Sequence, residues 1–351
     1  MVADLSKTPR IFISAVEPSA DRHAADLILK IRALCPAAQF IGIAGPLMQA
    51  AGCQAIDDWT QSSAMLVGAV RLARRAWQLL GRVGRILDEQ AVDLAVLVDS
   101  PALHLPMAKK IRKRGCKILY YIAPQLWAWA PWRIRRVRKR VDRLAVILPF
   151  EEEYFRKRGV EAKYVGHPLI EQLSGRRADT DMMSELKAAG KPVVACLPGS
   201  RMHVVNEVLP GQIEVARAIA GRHPGAAFLF AAANPPARDT IRQALDGESF
   251  THQVIMDRNV EILSVADLAL CASGTATLEV AYYRLPMVVM YNGSKWGYRL
   301  VGRWLIHTLH LSLVNILAGR CIVPEFMPYY DSTDPIIREA IGLLEDTSRR
   351  H

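Results

Sequence analysis

The chain has 351 residues, 51% hydrophobic and 23% charged, which suits about two domains of roughly 150 residues and excludes a disordered chain. A formal net charge of +11 favours anionic partners (nucleotides, nucleic acid or an acidic membrane surface) without choosing among them. The six cysteines lie far apart with no Cys-x-x-Cys, the N-terminus lacks the apolar core of a signal peptide, and no run approaches the ~18 apolar residues of a membrane span; the reading is a reduced cytosolic protein with buried thiols.

The predicted elements alternate along the chain. Residues 11–13 read as a strand, and 21–34 carry apolar residues at helical spacing. Residues 40–43 form the next strand and end in Ala44-Gly45-Pro46. Over 65–80, Met65, Leu66, Val67, Val70, Leu72, Leu79 and Leu80 interleave with Arg71, Arg74 and Arg75. That pattern fits a basic amphipathic helix at a membrane surface and equally a helix packed on the core. Residues 94–98 are a strand closed by Asp99-Ser100-Pro101; 107–114 are helical and stop at Gly115; 118–122 and 143–148 are strands. The pattern breaks at Gly166-His167-Pro168 and the polar Ser174-Gly175-Arg176-Arg177, then restarts. Strands follow at 192–197, 227–231, 254–256, 268–271 and 286–290, with a helix after Ser200 and another over 275–282. Alternation of this kind predicts parallel sheets covered on both faces. The expected class is α/β, two Rossmann-like doubly wound domains over 1–168 and 191–330, a linker over 169–190 and a C-terminal helix over 331–351. Ligands are expected at the carboxyl ends of the strands, in a cleft where the two sheets face.

Several segments could carry chemistry. In Leu197-Pro198-Gly199-Ser200-Arg201 the free amides of a strand-to-helix turn can meet a phosphate that Arg201 clamps, although Pro-Gly turns are common without one. Ser273-Gly274-Thr275-Ala276-Thr277-Leu278-Glu279 stands at a second such junction. Its two threonine hydroxyls and amides suit a pyrophosphate, and Glu279 suits ribose hydroxyls; the plainer reading is a capped helix. Asp99 ends an apolar strand, where it fits either a general base or a turn-initiating residue before Ser-Pro. Glu17-Pro18-Ser19-Ala20-Asp21 offers polar groups at another helix start, with Ser19 or Asp21 as the cap in the plainer reading. Trp127, Trp129 and Trp132 precede a basic run from Arg133 to Arg143 that fits nucleic acid, an anionic membrane or a solvated helix face. Asp179-Thr180-Asp181 spells the Asp-x-Asp of metal-dependent glycosyltransferases, but its place before a helix reads as an N-cap, and no metal or other cofactor is expected.

Taken in order, these segments resemble the lipid-A-disaccharide synthase family. The resemblance runs from about residue 10 to 348. It includes Glu17-x-Ser19-x-Asp21, Ala44-Gly45-Pro46, Asp99-Ser100-Pro101, Trp127-Ala128-Trp129 and Leu148-Pro149-Phe150-Glu151. It continues through Val165-Gly166-His167-Pro168, the turns at 197–201 and 273–279, Asn315-Ile316-Leu317-Ala318-Gly319-Arg320 and Val323-Pro324-Glu325. The resemblance implies the GT-B fold and a metal-independent hexosyltransferase. Such an enzyme moves 2,3-diacylglucosamine from UDP, with inversion, to 2,3-diacylglucosamine 1-phosphate in lipid A biosynthesis. It implies Asp99 as general base and Glu17, Ser19 and Asp21 on the acceptor side. It places Gly199, Ser200, Arg201, Ser273, Gly274, Thr275, Ala276, Thr277, Glu279 and Asn315 on the nucleotide-sugar side. It further implies a peripheral protein on the cytoplasmic face of the inner membrane, contacting it through 65–80, and it allows a homodimer.

The chain also departs from the family pattern. Val16 and Ala20 stand where glycines are usual, Ala102-Leu103-His104 replaces Asp-Phe-Asn, Val204 replaces an acidic residue, and Val314 precedes Asn315 where proline is usual. The family also continues beyond the position of His351. A Cβ at Val16 or Ala20 can close a backbone approach or oppose a positive φ. Two alternatives therefore stay open: a related UDP-sugar transferase with another lipid acceptor, and a non-catalytic nucleotide-sugar or lipid-binding homologue. A nucleic-acid-binding protein has only the basic run in its favour.

Overall fold

The computed structural model describes residues 8–60, 69–129, 131–295, 308–346 and 348, with the backbone alone for 69–72. The chain divides into two compact units, Met1–Pro168 and Leu169–His351.

In the first unit the elements are β1 (Arg10–Ser14), α1 (Pro18–Leu34), β2 (Gln39–Ile43), α2 (Pro46–Ala50), β3 (Cys53–Asp57), α3 (Ala69–Glu89), β4 (Leu94–Val98) and α4 (Pro101–Arg112). They continue with β5 (Lys117–Tyr121), α5 (Ile134–Arg140), β6 (Arg143–Val146), α6 (Pro149–Arg156) and β7 (Ala162–Tyr164). The strands form one parallel sheet in the order β3-β2-β1-β4-β5-β6-β7. A strand covered on both faces needs apolar residues at successive positions. Ala95, Val96, Leu97 and Val98 of β4 are all fully buried. The period of two then divides the core. Ile11 and Ile13 pack with Ala24, Ile28 and Met48 of α1 and α2. Phe12 between them packs with Leu79, Leu105, Val137 and Phe155 from α3 to α6.

The second unit contains α7 (Pro168–Ser174), α8 (Thr180–Ala188), β8 (Val193–Leu197), α9 (Met202–Arg222), β9 (Ala227–Ala232), α10 (Pro235–Ala244) and β10 (Thr251–Met256). It goes on with α11 (Asn259–Val265), β11 (Leu268–Cys271), α12 (Ala276–Tyr282) and β12 (Met287–Met290). Its last elements are α13 (Leu313–Ala318), β13 (Glu325–Phe326) and α14 (Asp334–Glu345). Its sheet is again parallel, in the order β10-β9-β8-β11-β12-β13. Val194 and Cys196 face α9 and α14, whose Ile336 and Ala340 are fully buried, while Val193, Ala195 and Leu197 face α8, α11 and α12.

Each segment expected as a strand contains one, with ends displaced by up to three residues, and three strands had no apolar run to announce them. β3, β7 and β13 are edge strands whose residues are mostly half-buried or exposed, so their sequences carry little continuous hydrophobicity. α4 begins at Pro101, six residues before the apolar pattern suggests, because proline supplies a ready first helical turn. The expected linker includes α7 as well as α8, the helix that Asp179 was read as capping, and α8 contributes Leu186 to the second unit's core. Met65, Leu66 and Val67 lie outside the described residues.

Gly42 pairs with Ile13 across β1 and β2, and a Cβ there would stand 1.7 Å from the Ile13 carbonyl oxygen. Gly42→Ala should therefore lower stability by about 1–3 kcal/mol or more, read as a fall in the urea midpoint at unchanged slope.

Candidate active site

The first unit's sheet changes direction between β1 and β4, since the chain leaves β1 toward β2 on one side and returns through β4 on the other. Loops at the carboxyl ends of such a pair diverge and leave a crevice. Glu17 follows β1 and Asp99 follows β4, so the fold brings these predicted residues together. The Ser100 hydroxyl donates to Glu17 Oε1 at 3.3 Å, tying one loop to the other.

Asp99 and Ser100 take φ values of 55° and 48°, a left-handed pair without glycine, which costs about 1–3 kcal/mol at each residue. Side chains hold this turn. The Asp99 carbonyl accepts from the Tyr120 hydroxyl at 2.5 Å and from His104 Nδ1 at 2.7 Å. Because a carbonyl can only accept, Nδ1 carries the imidazole proton. Nε2 is then an acceptor, filled by the Ser14 hydroxyl at 2.8 Å. Burial pushes the His104 imidazole down to about 4, against the opposing effect of the Asp99 carbonyl, so the ring is neutral. Burial, and then the Asp99 charge, pushes the Tyr120 phenol well up, so it remains a donor.

The rest of the first loop corrects the sequence reading. α1 starts at Pro18 with Glu17 as its N-cap, so neither Ser19 nor Asp21 caps it. Asp21 is 2% exposed and its carboxylate accepts from the amides of Leu47 and Met48 at 3.0 and 3.1 Å. It fastens the start of α2. Ser19 is exposed on the first turn of α1. Val16 and Ala20 are absent from the positive-φ positions and are buried in the two core clusters, so both accept a Cβ without backbone strain.

In the second unit β8 and β11 are neighbours, with Leu197 beside Cys271. The two motif turns therefore leave adjacent strand ends. Gly199 has φ 116° and Gly274 φ 139°, conformations that glycine alone adopts readily. Nothing lies within 4 Å of where a Gly274 Cβ would be, so that turn has open space over it. Ser200 and Arg201 are exposed at the start of α9, and Thr275 is exposed at the start of α12. Ser273 is half-buried, with its hydroxyl 3.5 Å from the Leu311 carbonyl, and Ala276 opens α12 beside it. Thr277 differs from expectation: it is fully buried and its hydroxyl donates to the Gly274 carbonyl at 2.8 Å, bracing the turn from below. Glu279 is half-buried, and its Oε2 accepts from Asn259 Nδ2 at 3.1 Å. Burial lifts its carboxyl above the ordinary range, with Asn259 and then Arg176 pulling the other way.

Asn315 sits beneath the surface of its motif. It is fully buried, and its amide is spent inside the protein. Oδ1 accepts from Ile322 and Val323 at 2.8 and 3.0 Å; Nδ2 donates to the Val323 carbonyl and to Glu325 Oε2, both at 2.9 Å. Burial alone would raise the Glu325 carboxyl, but hydrogen bonds from Ser312, Asn315 and Leu311 hold it below its ordinary value. The pair braces the loop after α13.

The basic and aromatic segments divide similarly. Trp127 donates its indole N–H to the buried Glu151 at 3.0 Å, a structural use. Trp129 and Trp132 are 39% and 56% exposed, with the Arg133 guanidinium over the Trp129 ring. On α5, Val137 is buried and Arg135, Arg136, Arg138 and Lys139 are exposed. Leu79 and Val83 of α3 are in the core, whereas Trp77, 73% exposed, lines a concavity with Arg82, Arg85 and Lys110. Among the described residues no helix is long and apolar enough to cross a membrane. Asp179 accepts from the Met182 amide as the N-cap of α8, as its place before a helix predicts.

His104, Tyr120 and Asn259 escaped the sequence reading as site residues. Only the proximity of His104 to Asp99 along the chain could have pointed to it; Tyr120 and Asn259 meet their partners through the fold.

The family model described as lipid-A-disaccharide synthetase matches residues 11–351. A lipid-A-disaccharide synthase of Myxococcus xanthus is 36% identical over 326 residues, covering 92% of this chain and 85% of that protein. One from Nitrosococcus oceani is 35% identical over 351 residues, covering 98% of this chain and 89% of that protein. Among solved structures, a UDP-GlcNAc 2-epimerase of Neisseria meningitidis bound to UDP-GlcNAc has a TM-score of 0.61 at 12% identity, over 97% of this chain and 93% of that one. That likeness is one of fold.

The neutral, buried His104 has a measurable consequence. Its folded pKa lies below its unfolded value of 6.5, so between about 6.5 and about 4 the unfolded chain binds a proton that the folded chain does not. Stability should fall as pH drops through that window, by roughly 3 kcal/mol from this residue. His104→Asn should flatten the slope by that amount in urea titrations at several pH values. His23 and His167, which burial also lowers, would remain to give the residual slope.

Proposed function

The chain belongs to the lipid-A-disaccharide synthetase family, and we propose that Asp99 in the first unit activates the acceptor while the turns at Arg201 and Thr275 in the second unit hold the donor. The family activity is a glycosyl transfer of lipid A biosynthesis: 2,3-diacylglucosamine passes from UDP to 2,3-diacylglucosamine 1-phosphate, yielding the disaccharide 1-phosphate and UDP. The fold is of the GT-B class.

In this reading the Asp99 carboxylate takes the proton of the acceptor 6-hydroxyl as that oxygen attacks the anomeric carbon. The bond to the UDP oxygen breaks in the same displacement, so the configuration inverts and no covalent nucleophile is required. Negative charge develops on the leaving diphosphate. The Arg201 guanidinium and the amides of the Gly199 and Gly274 turns are the groups that offset it. Glu279 accepts from the ribose hydroxyls, with Asn259 fixing one of its oxygens. Glu17, bonded to Ser100, and the exposed Ser19 line the acceptor side. Asp21, Thr277 and Asn315 keep the shape of the loops that do this.

Both substrates carry acyl chains, so we assign a peripheral contact with the cytoplasmic face of the inner membrane. Exposed Trp77 with Arg82 and Arg85 of α3, and exposed Trp129 and Trp132 with Arg133 just before α5, support it, since indoles and cations suit an anionic headgroup layer.

The observation that carries the proposal is Asp99 held at the carboxyl end of a central strand beside Glu17. Asp99→Asn should cut turnover by roughly 10²–10⁴ while UDP binding survives, read by mass spectrometry of the disaccharide and by calorimetry. Unchanged turnover would remove Asp99 as the base. Asn259→Ala should weaken UDP by roughly tenfold, the worth of one hydrogen bond to a charged group. It should also let Glu279 take up its proton at a higher pH, so that UDP affinity falls earlier on acidification than in the native chain.

A further inference from the structure

We infer that His104 and Tyr120 are positioning residues for Asp99, acting on its main-chain carbonyl and not on its carboxylate. The inference rests on Asp99 being the base.

A side chain's direction is set by the peptide planes on either side of its Cα. At Asp99 both are tied. Its amide donates to the Tyr121 carbonyl at 3.0 Å, continuing the ladder between β4 and β5. Its carbonyl takes donors from two further elements: Nδ1 of His104, in the first turn of α4, and the hydroxyl of Tyr120, on β5. A carbonyl oxygen has two lone pairs, and these bonds use both. The turn they fix is one that residues with a Cβ rarely adopt, at Asp99 and again at Ser100. Without these donors, relaxation to an ordinary φ would swing the Asp99 carboxylate away from the strand end.

The clamp is itself anchored. His104 Nε2 accepts from Ser14 at the end of β1, so the network joins β1, β4, β5 and α4 around one carbonyl. Ser14, His104 and Tyr120 are each fully buried. None of them can touch substrate, and the neutral imidazole has its only proton committed to the carbonyl. His104 therefore has no part in moving the acceptor proton, although it lies five residues from the base. An asparagine amide nitrogen is as far along the side chain as His Nδ1, so His104→Asn can remake this bond while lacking the ring.

The test measures kcat and KM for both substrates in His104→Ala, His104→Asn and Tyr120→Phe, with Asp99→Asn as reference. His104→Ala and Tyr120→Phe should lower kcat by roughly 10–100-fold, the scale of a misplaced catalytic group, with both KM values within about threefold of native. His104→Asn should recover most of the kcat and leave the pH–rate profile unshifted. Tyr120→Phe removes a single oxygen, so it keeps the test open if His104→Ala does not fold. Native kcat in a folded His104→Ala or Tyr120→Phe, or a His104→Asn as slow as His104→Ala, overturns the inference. If Asp99→Asn retains turnover, the base assignment fails and the inference with it; if Asp99→Asn is inactive while both clamp variants are native-like, the inference alone fails.

Discussion

A main-chain carbonyl with two side-chain donors fixes the turn at the end of the first unit's central strand. The end of β4 cannot continue as strand, because the chain must turn onto α4, and it cannot relax, because Tyr120 and His104 hold the Asp99 carbonyl. Burying a histidine and a tyrosine is costly unless every polar atom has a partner. Here the partners are the turn itself and Ser14, so the hydrogen bonds of one network offset both the cost of burial and the strain of the turn.

The second unit solves a different problem with related means. In the proposed reading it presents amides and one guanidinium to a diphosphate, which depends on two turns at neighbouring strand ends. Gly199 and Gly274 supply the conformation, and buried side chains keep it: Thr277 beneath the Gly274 turn, Asn315 and Glu325 beneath the loop after α13. Both units thus place an outward-facing layer of candidate binding groups above an inward-facing layer that holds. Residues of the two layers alternate along the same motif.

That alternation explains what could be read from the sequence and what could not. The sheets were legible because strands covered on both faces are apolar throughout, as 94–98 and 193–197 show. Edge strands such as β7 escaped for the converse reason. The motifs were legible as motifs, since polar residues gather where apolar runs stop. Which member of a motif binds and which holds was not. Asp21 and Glu17 are four residues apart on the same loop and helix start, yet one fastens α2 and the other borders the Asp99 turn. Spacing does not encode that difference; it is set by α2, which arrives from elsewhere in the chain. His104 was masked in another way, because a lone histidine in an apolar stretch is normally a satisfied core residue, and it is that as well.

The inward layer has a consequence for genetics. On the proposed role of Asp99 as the base, a lesion there fails at every temperature, because the group that takes the proton is gone. A lesion at Asp21, Thr277 or Asn315 leaves the reacting groups intact and shifts only how often the loop holds its shape. Such alleles should be conditional, silent in the cold and defective in the heat. A motif that looks uniform in an alignment would then separate, on a shifted plate, into residues that act and residues that keep them in place.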